Sequence, residues 1–221
     1  MSGLGYKTFA SGEILTAANL QGYATDQSVM VFASVADRTT QLAAPSQGMV
    51  SFLNDTGTLW QYYAAYGVGN PGGATTAGWY PISGAAMFYG TATRSTTSGT
   101  DYTIGASGFT YTEYIDPLAW HSTATNTDRI TPTVAGLYRV TNVATYGANA
   151  SNYRRAVINV SGSLVTGAAT LAVYAPAATA TAVVALNGSS DYVTCATYQD
   201  STATLTVTSR VTVEFLRPLQ A

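Results

Sequence analysis

Thr131-Pro132-Thr133-Val134-Ala135-Gly136-Leu137-Tyr138-Arg139-Val140-Thr141-Asn142-Val143-Ala144-Thr145-Tyr146 is the stretch that decides the fold. Pro132 lacks a backbone donor and Gly136 permits a turn, so the chain is broken before Leu137. From there the residues alternate, and in an extended chain successive side chains point to opposite faces. This reads as a strand with one face in a core and one face outside. Further alternating runs follow it, down to Val211-Thr212-Val213-Glu214-Phe215-Leu216-Arg217-Pro218. The C-terminal part is therefore expected to be a sandwich of antiparallel strands, an architecture that usually presents a surface.

Working outward, turn signals recur at hairpin spacing: Ser98-Gly99, Ser107-Gly108, Asp116-Pro117, Gly147, Gly162, Gly167, Pro176, Asn187-Gly188 and Asp200-Ser201. Between them the spacing predicts strands over 87–93, 108–114, 137–146, 154–160, 163–173, 180–186, 192–199, 205–208 and 211–216. In one of these, Ala156, Ile158 and Val160 share a face while Arg155, Val157 and Asn159 share the other. Toward the N-terminus the character changes. Thr16 is a good N-cap, and Leu20, Tyr23, Gln27 and Val31 fall near helical intervals, so one short helix is expected there. Met49–Leu53, the turn Asn54-Asp55-Thr56-Gly57, and Thr58–Tyr63 read as a β-hairpin. The run from Gly67 to Gly78 is too glycine-rich to pack a core and reads as a loop, closed by the rings of Trp79-Tyr80-Pro81. A boundary near Gly84 gives two domains, 1–84 and 85–221.

The 221 residues include only 9% charged against 47% hydrophobic. Thr, Ala, Gly, Ser and Tyr replace the Lys and Glu that ordinarily coat a surface, so copies of the chain repel one another weakly. The 16 Tyr supply rings suited to contacts that are half wet and half apolar, and association with itself or a partner is expected. A net charge of −2 supplies no basic stripe, which excludes nucleic-acid binding by counterion release. No apolar run is long enough for a membrane span, and the start has no apolar core of a signal peptide, so synthesis in the cytoplasm is expected. Cys195 is the single cysteine; with no His or Arg beside it, it reads as a small buried hydrophobe.

Chemistry finds little to work with. His121 is the one histidine, so neither a Ser-His-Asp triad nor a multi-histidine metal site can be assembled within one chain. Asp101, Glu113, Asp116, Asp128, Asp191 and Asp200 fall mostly at turns, where carboxylates cap backbone N–H groups, and a glycosidase would need two of them facing across a cleft. The Asn-x-Ser sequons at Asn149, Asn159 and Asn187 accompany no secretory signal and are discounted. The chain is read as not an enzyme, with no catalytic, cofactor or metal site. Tyr102, Tyr111, Tyr114, Trp120, Tyr146 and Tyr153 are the candidates for receptor or subunit contact. Rings of this kind stack on sugars, although most such rings pack inside a sandwich or between subunits.

Two resemblances add to this. Pro132, Gly136-Leu137-Tyr138, Val183-Val184-Ala185-Leu186, Asp191-Tyr192-Val193 and Val213-Glu214-Phe215-Leu216 resemble the globular-head jelly roll of complement and tumour-necrosis-factor proteins. That family implies a ten-stranded homotrimer, in which three copies of His121 could meet on the axis. Its occasional calcium sites raise Asp116 or Asp128 as ligands, though no Asp-x-Asp-x-Asp loop occurs here. Separately, the run from Tyr6 to Leu20, Asp37-Arg38, Pro45-Ser46-Gln47-Gly48-Met49 and Asn54 to Tyr62 resemble the N-terminal segment of bacteriophage minor tail or head-fibre proteins. This implies a virion structural protein whose N-terminal module attaches to the particle, with Phe9, Leu15, Leu20, Met49, Trp60 and Trp79 as attachment residues. The implied partners are further copies of itself, other phage virion proteins of tail or capsid, and host cell-surface glycan. The implied role is a tail fibre or tail-tip protein contacting the host. A capsid decoration or head-fibre protein is the alternative, and a virion carbohydrate-active enzyme comes third.

Overall fold

Val, Thr and Tyr in alternation favour the pleated strand, where branched and aromatic side chains pack against neighbours on the same face. The computed structural model describes residues 10–14, 16–23, 28–65, 74, 76–82, 87–148, 153–165 and 177–219. Among these the chain forms thirteen strands and two short helices. It is an all-β protein, and it divides into two compact units, Met1–Ala85 with Pro218–Ala221, and Ala86–Arg217. The expected boundary residue Gly84 lies outside the described residues, as do Phe9, Leu15, Asn149, most of the glycine-rich run and residues 166–173 of one expected strand.

In the first unit, Thr16 caps α1 (Ala17–Tyr23) by accepting from Asn19 N–H at 3.1 Å. The expected helical spacing does not carry on to Val31. Residues Val29–Phe32 form β1, because they find a parallel strand partner in β2 (Val50–Leu53), with Val29 opposite Val50. A second helix, α2 (Val35–Gln41), follows β1 and was not expected. Its cap is reciprocal: Ser34 Oγ accepts from Asp37 N–H at 3.2 Å, and the Asp37 carboxylate accepts from Ala33 N–H at 2.9 Å. The hairpin of β2 with β3 (Thr58–Tyr63) forms where the sequence placed it. Trp79-Tyr80-Pro81 does more than close a loop: β4 (Gly78–Pro81) pairs with β3, completing a sheet of order β1-β2-β3-β4.

The second unit is a two-layer antiparallel sandwich of jelly-roll type. Its strands are β5 (Met87–Thr96), β6 (Thr100–Thr103), β7 (Thr112–Ile115), β8 (Gly136–Tyr146), β9 (Arg154–Val160), β10 (Ser163–Leu164), β11 (Ala177–Leu186), β12 (Val193–Gln199) and β13 (Leu205–Arg217). They make a five-stranded sheet of order β11-β8-β13-β5-β7 and a four-stranded sheet of order β10-β9-β12-β6. Strands consecutive in sequence change sheet repeatedly, so the strands central to each sheet pair over long sequence distances. Between the layers, Phe88, Ile104, Phe109, Tyr138, Val140, Ile158, Cys195, Val211, Val213 and Phe215 are fully buried.

Several expected strands change at their ends. The runs 205–208 and 211–216 are one strand, since the inward side chain between them, Ser209, donates to Asn142 Oδ1 at 2.5 Å and so sits in the core without cost to the ladder. The strand expected over 108–114 is shorter and begins at Thr112, and β6 was missed because Thr-Asp-Tyr-Thr carries no apolar alternation. Asn142 joins the two layers. Its Nδ2 donates to the carbonyls of Val157 and Ala196, each at 3.0 Å, across the sandwich. Gly136 opens β8 for a steric reason: a Cβ there would lie 2.4 Å from a ring carbon of Phe215 and 2.7 Å from Arg217 O.

Candidate interaction surfaces

The aromatic residues singled out from sequence divide into core and surface. Tyr111, Trp120 and Tyr146 are buried, at 6%, 2% and 4% exposure, and so offer no face to a receptor or a second chain. Their rings serve the sandwich. Trp120 meets Tyr138 edge-on at 5.5 Å, and Tyr111 meets Phe88 edge-on at 5.3 Å. Tyr146 donates to Arg155 O at 2.8 Å and lies 3.0 Å from Tyr198 O. Burial pushes the phenols of Tyr111 and Tyr146 up from their ordinary value. The other three are accessible in differing degree. Tyr114 is exposed and stacks on Tyr89 at 5.4 Å. Tyr153 is half-buried, edge-on to Tyr198. Tyr102 lies under Arg94 at 4.7 Å, with hydrogen bonds to Thr97 that pull its phenol down from its ordinary value.

The attachment residues divide in the same way. Leu20 on α1 is half exposed, whereas Met49 and Trp60 are buried in the first unit's own core. Trp79 is half-buried and meets Tyr62 edge-on at 5.5 Å. What unites Trp60 and Trp79 is Arg38 of α2. Its guanidinium lies 5.2 Å from the Trp60 ring and 4.4 Å from the Trp79 ring, and donates to Ser51 Oγ at 3.0 Å. Burial pulls Arg38 down to about 10. Sequence pointed elsewhere for an apolar surface. Val29, Val31, Val50, Phe52 and Leu59 share the opposite face of the same sheet by register, and Val29, Val31 and Leu59 are exposed there at 54%, 62% and 36%.

His121 is not available on a threefold axis. Its side chain is buried, Nδ1 contacts Glu113 Oε1, and Nε2 lies 2.8 Å from Thr127 O. Both ring nitrogens are occupied within the chain. Asp116 is also committed, its two oxygens accepting from Trp120 N–H and His121 N–H, each at 2.9 Å. Burial raises this carboxyl above its ordinary value, against those two hydrogen bonds. Among the described residues no group of three His, Cys, Asp or Glu could hold a metal ion. Cys195 is buried in β12, where burial pushes its thiol up.

A further surface with few charges is the outward face of the five-stranded sheet, to which the sequence did not point. Register sets Thr181, Thr141, Thr212 and Tyr89 in one row across β11, β8, β13 and β5, and Thr145, Thr208 and Thr93 in another. Its charges are few: Arg139 pairs with Glu214 at 2.6 Å and Arg210 stands exposed, among Leu137, Val143 and an exposed Val183. The signal lay in Thr141 and Thr145 of β8, Thr179 and Thr181 of β11, and Thr206, Thr208 and Thr212 of β13, positions where a solvated sheet more often carries Lys or Glu.

No protein-family model matches the chain, and no curated protein matches it. Among solved structures, PRD1 vertex protein P5 is similar over 70% of this chain and 85% of its own, with 11% identity and a TM-score of 0.47. A likeness at that level carries no argument about function. Among the described residues no helix is long and apolar enough to cross a membrane.

Proposed function

We propose that the chain is a non-enzymatic structural protein of a bacteriophage virion, in which an N-terminal module attaches to the particle and a homotrimeric jelly roll projects as a tail fibre or tail-tip protein toward the host surface. The observation that carries the self-association is the outward face of β11-β8-β13-β5, rich in Thr, Val and Ala, whose charges are the Arg139–Glu214 ion pair and the exposed Arg210. Burying such a face between copies desolvates few charges, and short branched side chains lose little rotamer freedom. The virion assignment rests on the resemblance of residues 6–62 to phage tail and head-fibre proteins. Attachment through this module is favoured by the exposed Val29 and Val31 on its edge strand.

Enzymatic hydrolysis of a glycan draws no support. Glu113 is bound to His121 and Asp116 to two backbone N–H groups, so neither stands free as an acid or base across a cleft. Incubation with host cell-wall glycan should release no new reducing ends. The position on the particle is tested by gold-labelled antibody on intact virions carrying the protein. Label at the tail tip is expected; label on the shell would replace the tail role with capsid decoration, and no label on the particle would end the virion assignment.

A further inference from the structure

The excursion between β7 and β8 builds a site of its own. His121 bridges Ile130, and Trp120 O accepts from Thr131 N–H at 2.7 Å, so the two arms of the excursion run side by side. The turn joining them is fixed: Ser122 Oγ accepts from Thr125 N–H at 3.1 Å, Asn126 O accepts from Arg129 N–H at 2.8 Å, and Asn126 adopts a left-handed φ of 50°. Asp116 and His121 hold the arms from beneath. Beside this frame lies an open cleft of about 300 Å³, lined by Trp120, Ser122, Thr125, Asn126, Arg129 and Thr133 among others.

The chemistry of the lining is one-sided. No carboxylate lines the cleft. Arg129 forms no ion pair among the described residues; its guanidinium lies 4.1 Å from the Tyr192 ring, and its Nε is buried without an acceptor. A guanidinium lining a cleft that holds no carboxylate calls for an anionic group from outside. Beside Trp120, Ala119 and the His121 ring, whose nitrogens are engaged within the chain, the remaining lining groups are hydroxyls and an amide, which both donate and accept, as recognition of a sugar ring requires. The volume stands at the lower end of ligand pockets, which run from roughly 300 to 1,000 Å³. It suits one ring with its exocyclic group better than an extended chain.

We propose that this cleft binds a carboxylate-bearing saccharide, with Arg129 taking the carboxylate and Ser122, Thr125 and Asn126 the ring hydroxyls. The inference rests on the host-contact part of the proposed function for the source of the sugar, and on the cleft alone for its chemistry. The test is isothermal titration of the full chain with digalacturonic acid, with the neutral galactose disaccharide, and with acetate and inorganic phosphate separately. Saturable binding of the uronate is expected, with the neutral sugar and the simple anions much weaker. Arg129→Met should weaken uronate binding by about tenfold or more, the value of a charge-assisted hydrogen bond. Arg129→Lys keeps the charge but loses the forked geometry and should fall between. Asn126→Gly keeps the left-handed backbone, removes the amide, and should also weaken binding without loss of fold.

Absence of uronate binding would overturn the inference, as would equal affinity for the neutral disaccharide or an unchanged affinity in a folded Arg129→Met protein. Acetate or phosphate binding as tightly as the uronate would mean an adventitious anion only. A protein that labels the virion yet binds no uronate loses this inference and keeps the virion assignment. One that binds uronate but is absent from the particle does the reverse.

Discussion

The cores of the two units are built on different terms. In the sandwich, two sheets cover each other, and two buried amides reach across to distant groups: Asn142 bonds to Val157, Ala196 and Ser209, and Gln199 bonds to the carbonyls of Thr96 and Ala203 and to Ser201, while Tyr111 Oη, Trp120 Nε1 and Thr197 Oγ1 have no partner among the described residues. In the first unit a single four-stranded sheet has only short helices beside it, and the large group closing its inner face is the Arg38 guanidinium among Trp60, Trp79 and Ser51. Arg38 Nε has no acceptor among the described residues. The comparison teaches that a buried polar group specifies a fold when its neighbours depend on it, and merely fills space when they do not.

The comparison breaks most visibly at Asn142. Replacement by leucine keeps the volume but strands two carbonyls and the Ser209 hydroxyl, so the second unit should lose about 3 kcal/mol. Cys195 reports it: the thiol should resist labelling in the native protein and react far faster in the variant, while exchange at β2 and β3 amides stays unchanged. Equal exchange changes in both units would contradict the separation of the cores. Gly136→Ala should cost the same unit about 2 kcal/mol by forcing Phe215 aside, measured by denaturant midpoint. Arg38→Met is the contrasting case. It keeps contact with both tryptophans and removes a desolvated charge, so a change of less than about 1 kcal/mol is expected. A loss as large as that of Asn142→Leu would show the guanidinium to be essential.

The smallest effect is one of sign under acid. Hydrogen bonds from Ala33 and Gln41 hold the Asp37 carboxyl below 3.8, so its contribution is present above that pH and lost as pH falls through its folded value. Burial raises Asp116 above 3.8, so its contribution is complete below that pH and declines as pH rises through its folded value. Acidification toward about pH 4 therefore favours the Asp116 loop, and further acidification weakens the Asp37 cap. Asp116→Asn and Asp37→Asn should each flatten one arm of the pH profile of local hydrogen exchange, in opposite directions. A common direction would refute the assignment.

How far the sequence was legible follows from which partners lie close along the chain. The start of β8 could be read because Pro132 breaks the chain locally, although the need for Gly136 comes from distant Phe215, and the β2–β3 hairpin could be read because its turn is contiguous. The continuity of β13 could not, since what admits Ser209 to the core is Asn142, 67 residues away. Helical spacing at Leu20, Tyr23, Gln27 and Val31 was outweighed by strand pairing of Val29 with Val50. Tyr146 and Trp120 carry amphipathic rings that read equally as surface or core; whether a ring finds its acceptor across the sandwich, as Tyr146 does at Arg155 and Tyr198, is a property of the fold. Arg129 had no sequence signal, because its significance is that no carboxylate reaches it.

Threefold association through the outward face of the five-stranded sheet is the claim on which the functional account depends. Sedimentation equilibrium of the full chain at micromolar concentration tests it most directly. The account predicts a mass three times that of one chain, falling to a single chain when Thr212→Arg sets a second cation beside Arg210 on that face. A wild-type mass equal to one chain would contradict it.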